Sequence, residues 1–482
     1  MPSKLLKSLW IVPVLLFAAG CRGNVENAEE GGATASAAPG IHAPRRVFFI
    51  TVDTLRADHM SLYGYPRETT PNLQKLAAGG VTFDHAVCQW PKTGSSFASM
   101  FTGLYPHTTG LTHKAALRIP EPYLTLPELF KDEGYSTFGV VSNAVLASQF
   151  GWNTGFDEFQ ETWGGGEFPD DPKAFRPLAS ALRVNDLAVP LLRKYAKADK
   201  LFAWIHYSDP HAPYILPEGS SNPFAGDAVF RTGTDRAVPA RITKGYTLEG
   251  RTDLKYYVSQ YDANVLVADA YIRKLLDEMR SLGLLEDSLI IFAADHGEEL
   301  GEHNSWFEHG PLPYNTTAHV PLFFVMDGLR AGRRVDRPVE LVDLYPTLRD
   351  LIAPDRQVPG LEGKSLWPLL RDGDAKAFRQ AFSEAGRRPN LYHSVQEPAW
   401  KLVFNSGGKR SRAATSSTGG FELYNLKEDP LEARNLAAVH PEEVRRLRRD
   451  LVAWMRKARS MGDDEEGDPE TERALRALGY LN

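Results

Sequence analysis

Two short apolar runs, each followed directly by an acidic residue, constrain the fold of this chain most strongly. Residues 47–52 lead into Asp53, and residues 289–294 lead into Asp295 and His296. Both runs are typical of buried parallel strands. Open α/β sheets bind ligands beyond the carboxyl ends of such strands, so we expect these three polar residues to meet there. Two carboxylates and an imidazole close to a hydroxyl would suit a metal-activated nucleophile.

The segment before the second run predicts a helix that leads into a strand. Apolar residues recur at alternating spacings of four and three from residue 254 to residue 282, which places them on one stripe of a helix. Gly283 is a suitable stop for that helix. Another helix is predicted at residues 184–197, in which Pro190 should introduce a kink or a break. Further apolar runs predict strands at residues 137–141, 201–206 and 320–325.

The pattern of predicted secondary structure changes after about residue 375. Short β-like runs alternate with turns, and a charged helix is expected at residues 441–459. We therefore predict an α/β catalytic domain over residues 45–375 and a smaller C-terminal α+β subdomain with a tail over residues 376–482. Residues 462–472 are acidic and are expected to be mobile.

The N-terminus resembles a bacterial export signal. Lys4 and Lys7 precede an apolar stretch that is too short to span a bilayer comfortably. Small residues then lead to Cys21, as in a lipobox, so residues 1–21 are predicted to be a signal peptide with a lipobox. The protein would then be lipid-anchored to the cell envelope, in the periplasm or at the outer membrane. Plain secretion is the alternative, and residues 22–44 are predicted to be a disordered tether.

The charge of the chain argues against nucleic-acid binding, and its cysteine content argues against stabilisation by disulfides. The formal net charge is −6 and no basic block stands out, so we expect no nucleic-acid partner. The chain has 2 cysteines, and lipidation of Cys21 would leave Cys88 alone. Core packing must then hold the fold without a disulfide, and Cys88 is expected to be a small buried hydrophobic residue.

Several motifs together resemble the sulfatase family of the alkaline phosphatase-like superfamily. The resemblance runs from about residue 45 to the C-terminus. It implies an α/β core with a mixed, mostly parallel sheet between helices, a smaller C-terminal α+β subdomain and hydrolysis of ester bonds. It is carried, in family order, by residues 52–59 (VDTLRADH), 70–73 (TPNL), 96–107 (SFASMFTGLYPH), 209–214 (DPHAPY), 294–303 (ADHGEELGEH) and 423–426 (LYNL).

The chain departs from the family at the nucleophile. Sulfatases carry a Cys-x-Pro-Ser-Arg motif whose Cys is oxidised to formylglycine, and that position falls on Thr93 here. Cys88 lies five residues early, with Pro91 at the wrong offset. Thr is the nucleophile in superfamily relatives that act on phosphate esters, phosphodiesters or phosphonates, which implies a phospho-enzyme intermediate on Thr93. The alternative is that Thr93 only caps a helix.

The resemblance also implies a metal site. Its ligands would be Asp53, Thr93, Asp295 and His296, a set that contains nitrogen and little charge. One divalent ion is expected, with Mn or Zn favoured over Ca. The alternative for the adjacent Asp295 and His296 is a structural hydrogen bond.

Other polar residues are candidates for contacts to the substrate. His211 lies where the family places a His near the ester oxygens, and it could protonate the leaving oxygen. His309 lies where sulfatases place an active-site Lys, and a His there could still donate to the anion. Asn143, Lys92 and His206 are candidate substrate-binding residues. The alternatives are a packed core histidine for His206 and a solvated surface cation for Lys92.

These features predict a metal-dependent hydrolase of the cell envelope that cleaves phosphate (di)ester or phosphonate ester bonds through a Thr nucleophile. Its partner would be a small-molecule or envelope ester, with the membrane reached only through the lipid anchor. Three alternatives stay open: a sulfuric ester hydrolase, a transferase of a phospho-group and a non-catalytic surface binding protein. The sequence makes no prediction about oligomeric state.

Overall fold

We describe the protein from a computed structural model. The residues it describes are 42–112, 118–164, 172–175, 177–226, 236–240, 242, 246–248, 250–371, 376–387, 390–406 and 420–461. The predicted signal peptide, nearly all of the predicted tether and the acidic stretch 462–472 lie outside these residues, so those interpretations stay predictions.

The described residues form strands and helices in alternation along most of the chain. The strands are β1 Arg46–Val52, β2 Val81–Val87, β3 Ser136–Val141, β4 Glu158–Glu161, β5 Leu201–Tyr207, β6 Ser288–Ala294, β7 Glu299–Leu300, β8 Trp306–Glu308, β9 His319–Met326, β10 Arg333–Glu340, β11 Ala381–Arg387, β12 Asn390–Gln396, β13 Trp400–Asn405 and β14 Phe421–Asn425. The helices are α1 Pro71–Ala77, α2 Thr93–Thr102, α3 Pro106–Thr109, α4 Leu126–Asp132, α5 Pro172–Phe175, α6 Ala181–Tyr195, α7 Leu254–Ser281, α8 Asn315–Ala318, α9 Leu344–Ile352, α10 Trp367–Leu370 and α11 Pro441–Met461.

The central sheet has 8 strands in the order β10-β2-β9-β6-β1-β5-β3-β4. Strand β9 runs antiparallel to β2 and β6, and the other neighbouring pairs are parallel. The predicted mixed, mostly parallel α/β sheet is therefore confirmed. Every residue of β5 and β6 is buried, which is why these strands are almost continuously apolar in sequence.

The two helices that the sequence predicted next to the core are present. Helix α7 begins where the Asp253 carboxylate accepts a hydrogen bond from the Tyr256 amide (2.9 Å), and it buries its apolar stripe. Helix α6 continues through Pro190, so of the predicted kink or break the break does not occur. Pro190 lies on the exposed face of α6, while Val184 and Ala188 are buried, and packing of that buried face keeps the helix whole.

The C-terminal part forms a second, smaller layer. Strands β11 to β14 make a 4-stranded antiparallel sheet. The apolar face of α11, with Leu447 and Leu451 fully buried, packs in one cluster with Leu402 and Leu423 of that sheet. The predicted C-terminal α+β arrangement is thus present. Within the described residues, no helix combines the length and the hydropathy needed to cross a membrane.

Candidate active site

The strand register brings the predicted site residues to one edge of the central sheet. Val52 at the end of β1 pairs with Ala294 at the end of β6 on one side and with Tyr207 at the end of β5 on the other. The residues that follow Val52 and Ala294 are Asp53 and Asp295, so these two carboxylates come from neighbouring parallel strands. The carboxyl ends of β1, β5, β6 and β3 therefore form the floor of the site, as expected for an open α/β sheet.

The turn after β6 is fixed by hydrogen bonds and by close packing. The Asp295 Oδ1 atom accepts from the amides of His296 (2.8 Å) and Thr54 (3.2 Å). The Ser96 hydroxyl donates to the Asp295 carbonyl oxygen at 2.7 Å. A Cβ atom at Gly297 would lie 2.2 Å from the Thr316 carbonyl oxygen, so only glycine fits there. These contacts aim the remaining oxygen of Asp295 into the site.

Three buried side chains at this edge form a group that fits a metal ion. Ligand atoms of Asp53, His206 and Asp295 all lie within 4.8 Å of one another. Among the described residues, Asp53 Oδ1, Asp295 Oδ2 and His206 Nε2 are buried atoms without a hydrogen-bond partner. Buried carboxylates are normally paired or bound to a metal. These donor atoms therefore fit a divalent cation, and His206 belongs to the group by its position.

His296 presents a nitrogen lone pair to the same space. Its Nδ1 atom lies 2.9 Å from the Gly297 carbonyl oxygen, which can only accept, so Nδ1 carries the proton. The Nε2 atom then faces the Thr93 hydroxyl at 3.3 Å, Asp295 Oδ2 at 3.5 Å and Asp53 Oδ1 at 3.8 Å. The predicted ligands Asp53, Thr93, Asp295 and His296 are thus brought together.

Thr93 is the first residue of α2, and its side chain is buried. The Asn143 amide donates to Thr93 Oγ1 (3.4 Å) and to Asp53 Oδ2 (2.5 Å). The N-cap residue of α2 is Lys92, not Thr93. The hydroxyl instead points at the metal-binding group, at the positive end of the helix.

A second group of possible ligands stands beside the first. Ligand atoms of His211, Glu298 and His309 lie within 4.8 Å of one another, and the His309 ring stacks on His296 with 4.4 Å between centroids. Both predicted histidines are therefore at the site. Glu298 was not singled out from the sequence, because it is one of four acidic residues in the motif of residues 294–303. Only the fold distinguishes it, by burying its side chain completely.

The ionisation of the buried groups follows from their surroundings. Burial alone would raise the pKa of Asp53, but the imidazoles of His206, His211 and His296 outweigh it and hold that pKa below its ordinary value. Burial, together with the charge of Asp53, raises the pKa of Asp295. Burial, reinforced by His296, lowers the pKa of His309 to about 4, so this ring is neutral near pH 7.

Two further sequence interpretations concern residues at the rim. Lys92 is partly buried, and a Cβ atom at Gly310 would lie 2.6 Å from its Cε atom, so its aliphatic chain covers Gly310 next to His309. Cys88 is fully buried and its Sγ atom contacts the Thr317 carbonyl oxygen at 3.7 Å. Cys88 is therefore the small buried residue that the sequence predicted.

The chain belongs to the sulfatase family, whose sequence profile matches residues 45–353. It is accordingly a hydrolase of ester bonds. A sulfatase of Formosa agariphila is 26% identical over 436 residues, which cover 81% of this chain and 82% of that protein. Two solved structures show the same fold. A 2-O GAG sulfatase superposes with a TM-score of 0.70 at 19% identity, covering 90% of this chain and 96% of the other. The phosphonate monoester hydrolase of Agrobacterium radiobacter superposes with a TM-score of 0.67 at 21% identity, covering 87% and 96%.

Proposed function

We propose that this chain hydrolyses phosphate diesters or phosphonate esters, with Thr93 as the nucleophile. The observation that carries the proposal is the position of the Thr93 hydroxyl, 3.3 Å from His296 Nε2 and at the start of α2. A hydroxyl among these ligands can attack phosphorus, and the helix terminus favours an anionic ester in front of it.

The chemistry divides into two displacements. Thr93 Oγ forms a bond to phosphorus while the bond from phosphorus to the leaving oxygen breaks, and that oxygen takes up a proton. Water then attacks phosphorus and releases the Thr93 hydroxyl. A divalent cation held by Asp53, Asp295, His296 and His206 would lower the pKa of the hydroxyl and offset charge on the ester. Asn143 holds Thr93 and Asp53 in register during both steps.

The donor set supports Mn or Zn rather than Ca. Two of the four groups are imidazoles, and nitrogen ligands suit transition metals, whereas Ca²⁺ takes oxygen ligands. The phosphonate monoester hydrolase among the solved structures gives this fold a precedent for chemistry at phosphorus. Sulfate ester hydrolysis is the second candidate, because the family profile and the relative from Formosa agariphila both carry the name sulfatase.

A comparison of turnover separates the two candidates. The purified protein would be loaded with Mn, Zn or Ca and given an aryl sulfate, an aryl phosphate monoester, an aryl phosphodiester and an aryl phosphonate ester. Thr93→Ala, prepared in parallel, controls for contaminating phosphatases. We expect the phosphodiester or phosphonate to be turned over fastest, with Mn or Zn. A preference for the aryl sulfate would refute the proposal.

We further propose that the protein is exported and anchored by lipid at Cys21 to the cell envelope. The proposal is supported by the order of charged, apolar and small residues before Cys21. In a bacterial host, the wild-type protein should sediment with membranes, and Cys21→Ser should not. Equal sedimentation of the two proteins would contradict lipid anchoring.

A further inference from the structure

Helix α8 fixes the turn that carries residues 295–296, two of the proposed metal ligands. The Gly297 amide donates to the Thr317 carbonyl oxygen at 2.7 Å, and the Thr316 carbonyl oxygen leaves no room for a Cβ atom at Gly297. The Thr316 hydroxyl also donates to Glu299 Oε1 at 2.7 Å. Since Gly297 directly follows residues 295–296, a shift of α8 would displace both ligands.

Helix α8 needs partners from outside to keep this position. It spans Asn315–Ala318, a single turn, and helices this short are not stable by themselves. The C-terminal subdomain supplies partners at the first residue of the helix. Glu432 Oε2 accepts from the Asn315 amide at 2.5 Å, and the Lys401 ammonium donates to Asn315 Oδ1 at 3.0 Å. Lys401 Nζ also lies 3.0 Å from Glu432 Oε1, so the three residues form a closed triangle.

The joining of the two parts of the protein does not by itself require an ion pair. The side chains of Lys401 and Glu432 are both buried. Taking two charges out of water costs free energy that a well-packed apolar pair of similar volume would not incur. Glu432 also adopts a φ of 55°, in the left-handed region that residues with a Cβ atom seldom occupy. An apolar pair could not, however, make the directional hydrogen bonds that fix both the backbone and the side chain of Asn315.

We propose that Lys401 and Glu432 are positioning residues for the active site. They hold Asn315, and α8 in turn holds Gly297, so that residues 295–296 keep the spacing that binds a divalent cation. Neither of the two belongs to the proposed ligands, and their effect passes through α8. The inference rests on the proposed function and its metal site, but the affinity for the cation tests it without turnover.

The test is a calorimetric titration of the full-length protein with Zn²⁺, after purification in detergent and stripping with a chelator. Two variants loosen α8 in different ways. Asn315→Ala keeps the ion pair and removes only the side-chain link to it. The double variant Lys401→Met, Glu432→Gln removes both buried charges, so that no unpaired charge is left in the core. We expect the Kd for Zn²⁺ to rise in both, by about tenfold in the double variant, the lower end of the usual cost of losing a group that orients a metal ligand.

Calorimetry separates positioning from a loss of folded protein, because it gives the number of bound cations and their affinity independently. A partly unfolded variant binds fewer cations per chain, whereas a displaced turn raises Kd at an unchanged number of bound cations. Thermal unfolding of each variant verifies that it is folded at the temperature of the titration.

An ion pair elsewhere in the C-terminal subdomain provides the matched control. The Arg446 guanidinium donates to both carboxylate oxygens of Glu397, at 2.7 and 2.8 Å, and so fastens α11 to the turn that follows β12. Among the described residues, its other hydrogen-bond partner is Glu443, within α11. Arg446→Met therefore removes an ion pair without loosening α8, and its Kd for Zn²⁺ should match that of the wild-type protein.

A Kd that is unchanged in the folded double variant, or in Asn315→Ala if the double variant does not fold, would overturn the proposal. An equal rise of Kd in Arg446→Met would overturn it too. Phosphoester turnover by the wild-type protein together with an unchanged Kd in the variants would keep the proposed function and refute the positioning role. A raised Kd in the variants, without turnover of any phosphoester by the wild-type protein, would refute the function and keep the positioning role.

Discussion

Asn143 connects Thr93, the proposed nucleophile, to Asp53, a proposed metal ligand, because its amide donates to both side chains. We expect Asn143→Ala to lower kcat by about 10- to 100-fold, the usual cost of losing a partner that orients a metal ligand or a nucleophile. KM should change little. Steady-state kinetics on an aryl phosphodiester give both parameters. A large rise in KM at unchanged kcat would instead mean that Asn143 binds substrate directly, as the sequence suggested.

Thr93 itself allows a graded test. Thr93→Ala removes the hydroxyl, so kcat should fall by at least about a thousandfold, as nucleophile deletions do in other enzymes. Thr93→Ser keeps the hydroxyl and should retain measurable turnover. Metal binding should be weakened but present in Thr93→Ala, because three other predicted ligands remain. Turnover by Thr93→Ala at the wild-type rate would contradict the proposal that Thr93 is the nucleophile.

The sequence alone predicts the site residues whose positions are set by the strands that precede them. Asp53 and Asp295 directly follow apolar runs, so a parallel sheet had to bring them together. The sequence predicts His206 as a candidate substrate-binding residue or a packed histidine but not as a metal ligand, because the register that sets it beside Asp53 depends on which strands are neighbours. Glu298 had no sequence signal of its own, since its burial and its contact with the Tyr214 hydroxyl arise only in the folded chain.

Among the elements, the end of β10 joins the central sheet to the C-terminal sheet through a buried acid. Glu340 Oε1 accepts from the Tyr105 hydroxyl (2.8 Å) and from the Phe382 amide of the C-terminal sheet (3.1 Å). Burial, reinforced by the charge of Asp343, raises the pKa of Glu340 to about 8. The native protein therefore holds this proton more tightly than the unfolded chain does.

The pH dependence of stability follows from that sign. The contribution of Glu340 is fully present below the unfolded pKa of 4.5 and is lost as the pH rises through about 8. We expect the free energy of unfolding of the wild-type protein to fall between about pH 5 and pH 8 more steeply than that of Glu340→Gln, which cannot ionise. Urea unfolding at a series of pH values measures both slopes, and parallel slopes would contradict the raised pKa.

The helices and strands also show which features local sequence patterns predict and which depend on tertiary packing. Helix α7 was predicted almost to the residue, because its apolar stripe is continuous over 28 residues. The break expected at Pro190 is absent, because packing of the buried face of α6 outweighs one missing backbone hydrogen bond. The apolar run of residues 320–325 predicted a strand, but its antiparallel direction in β9 depends on pairing with β2 and β6.

For the whole molecule, bound metal should contribute to stability. Three fully buried carboxylates meet at one edge of the central sheet, and a cation that binds only the folded state stabilises it by about 2.7 kcal/mol at one hundred times its Kd. Chelation should therefore lower Tm, and Zn²⁺ or Mn²⁺ should restore it more fully than Ca²⁺. Calorimetric scans of the stripped and reloaded protein test this. An unchanged Tm after verified metal removal would contradict a metal at the site.

If the proposed mechanism holds, Thr93 carries the phospho-group between the two displacements. The most direct measurement is mass spectrometry of enzyme quenched in acid during turnover of an aryl phosphate, followed by peptide mapping. We expect a mass increase of one HPO₃ group on the peptide that contains Thr93, and none in Thr93→Ala. Steady turnover with the phospho-group on another residue, or with no adduct while release of the aryl group outpaces release of phosphate, would contradict it.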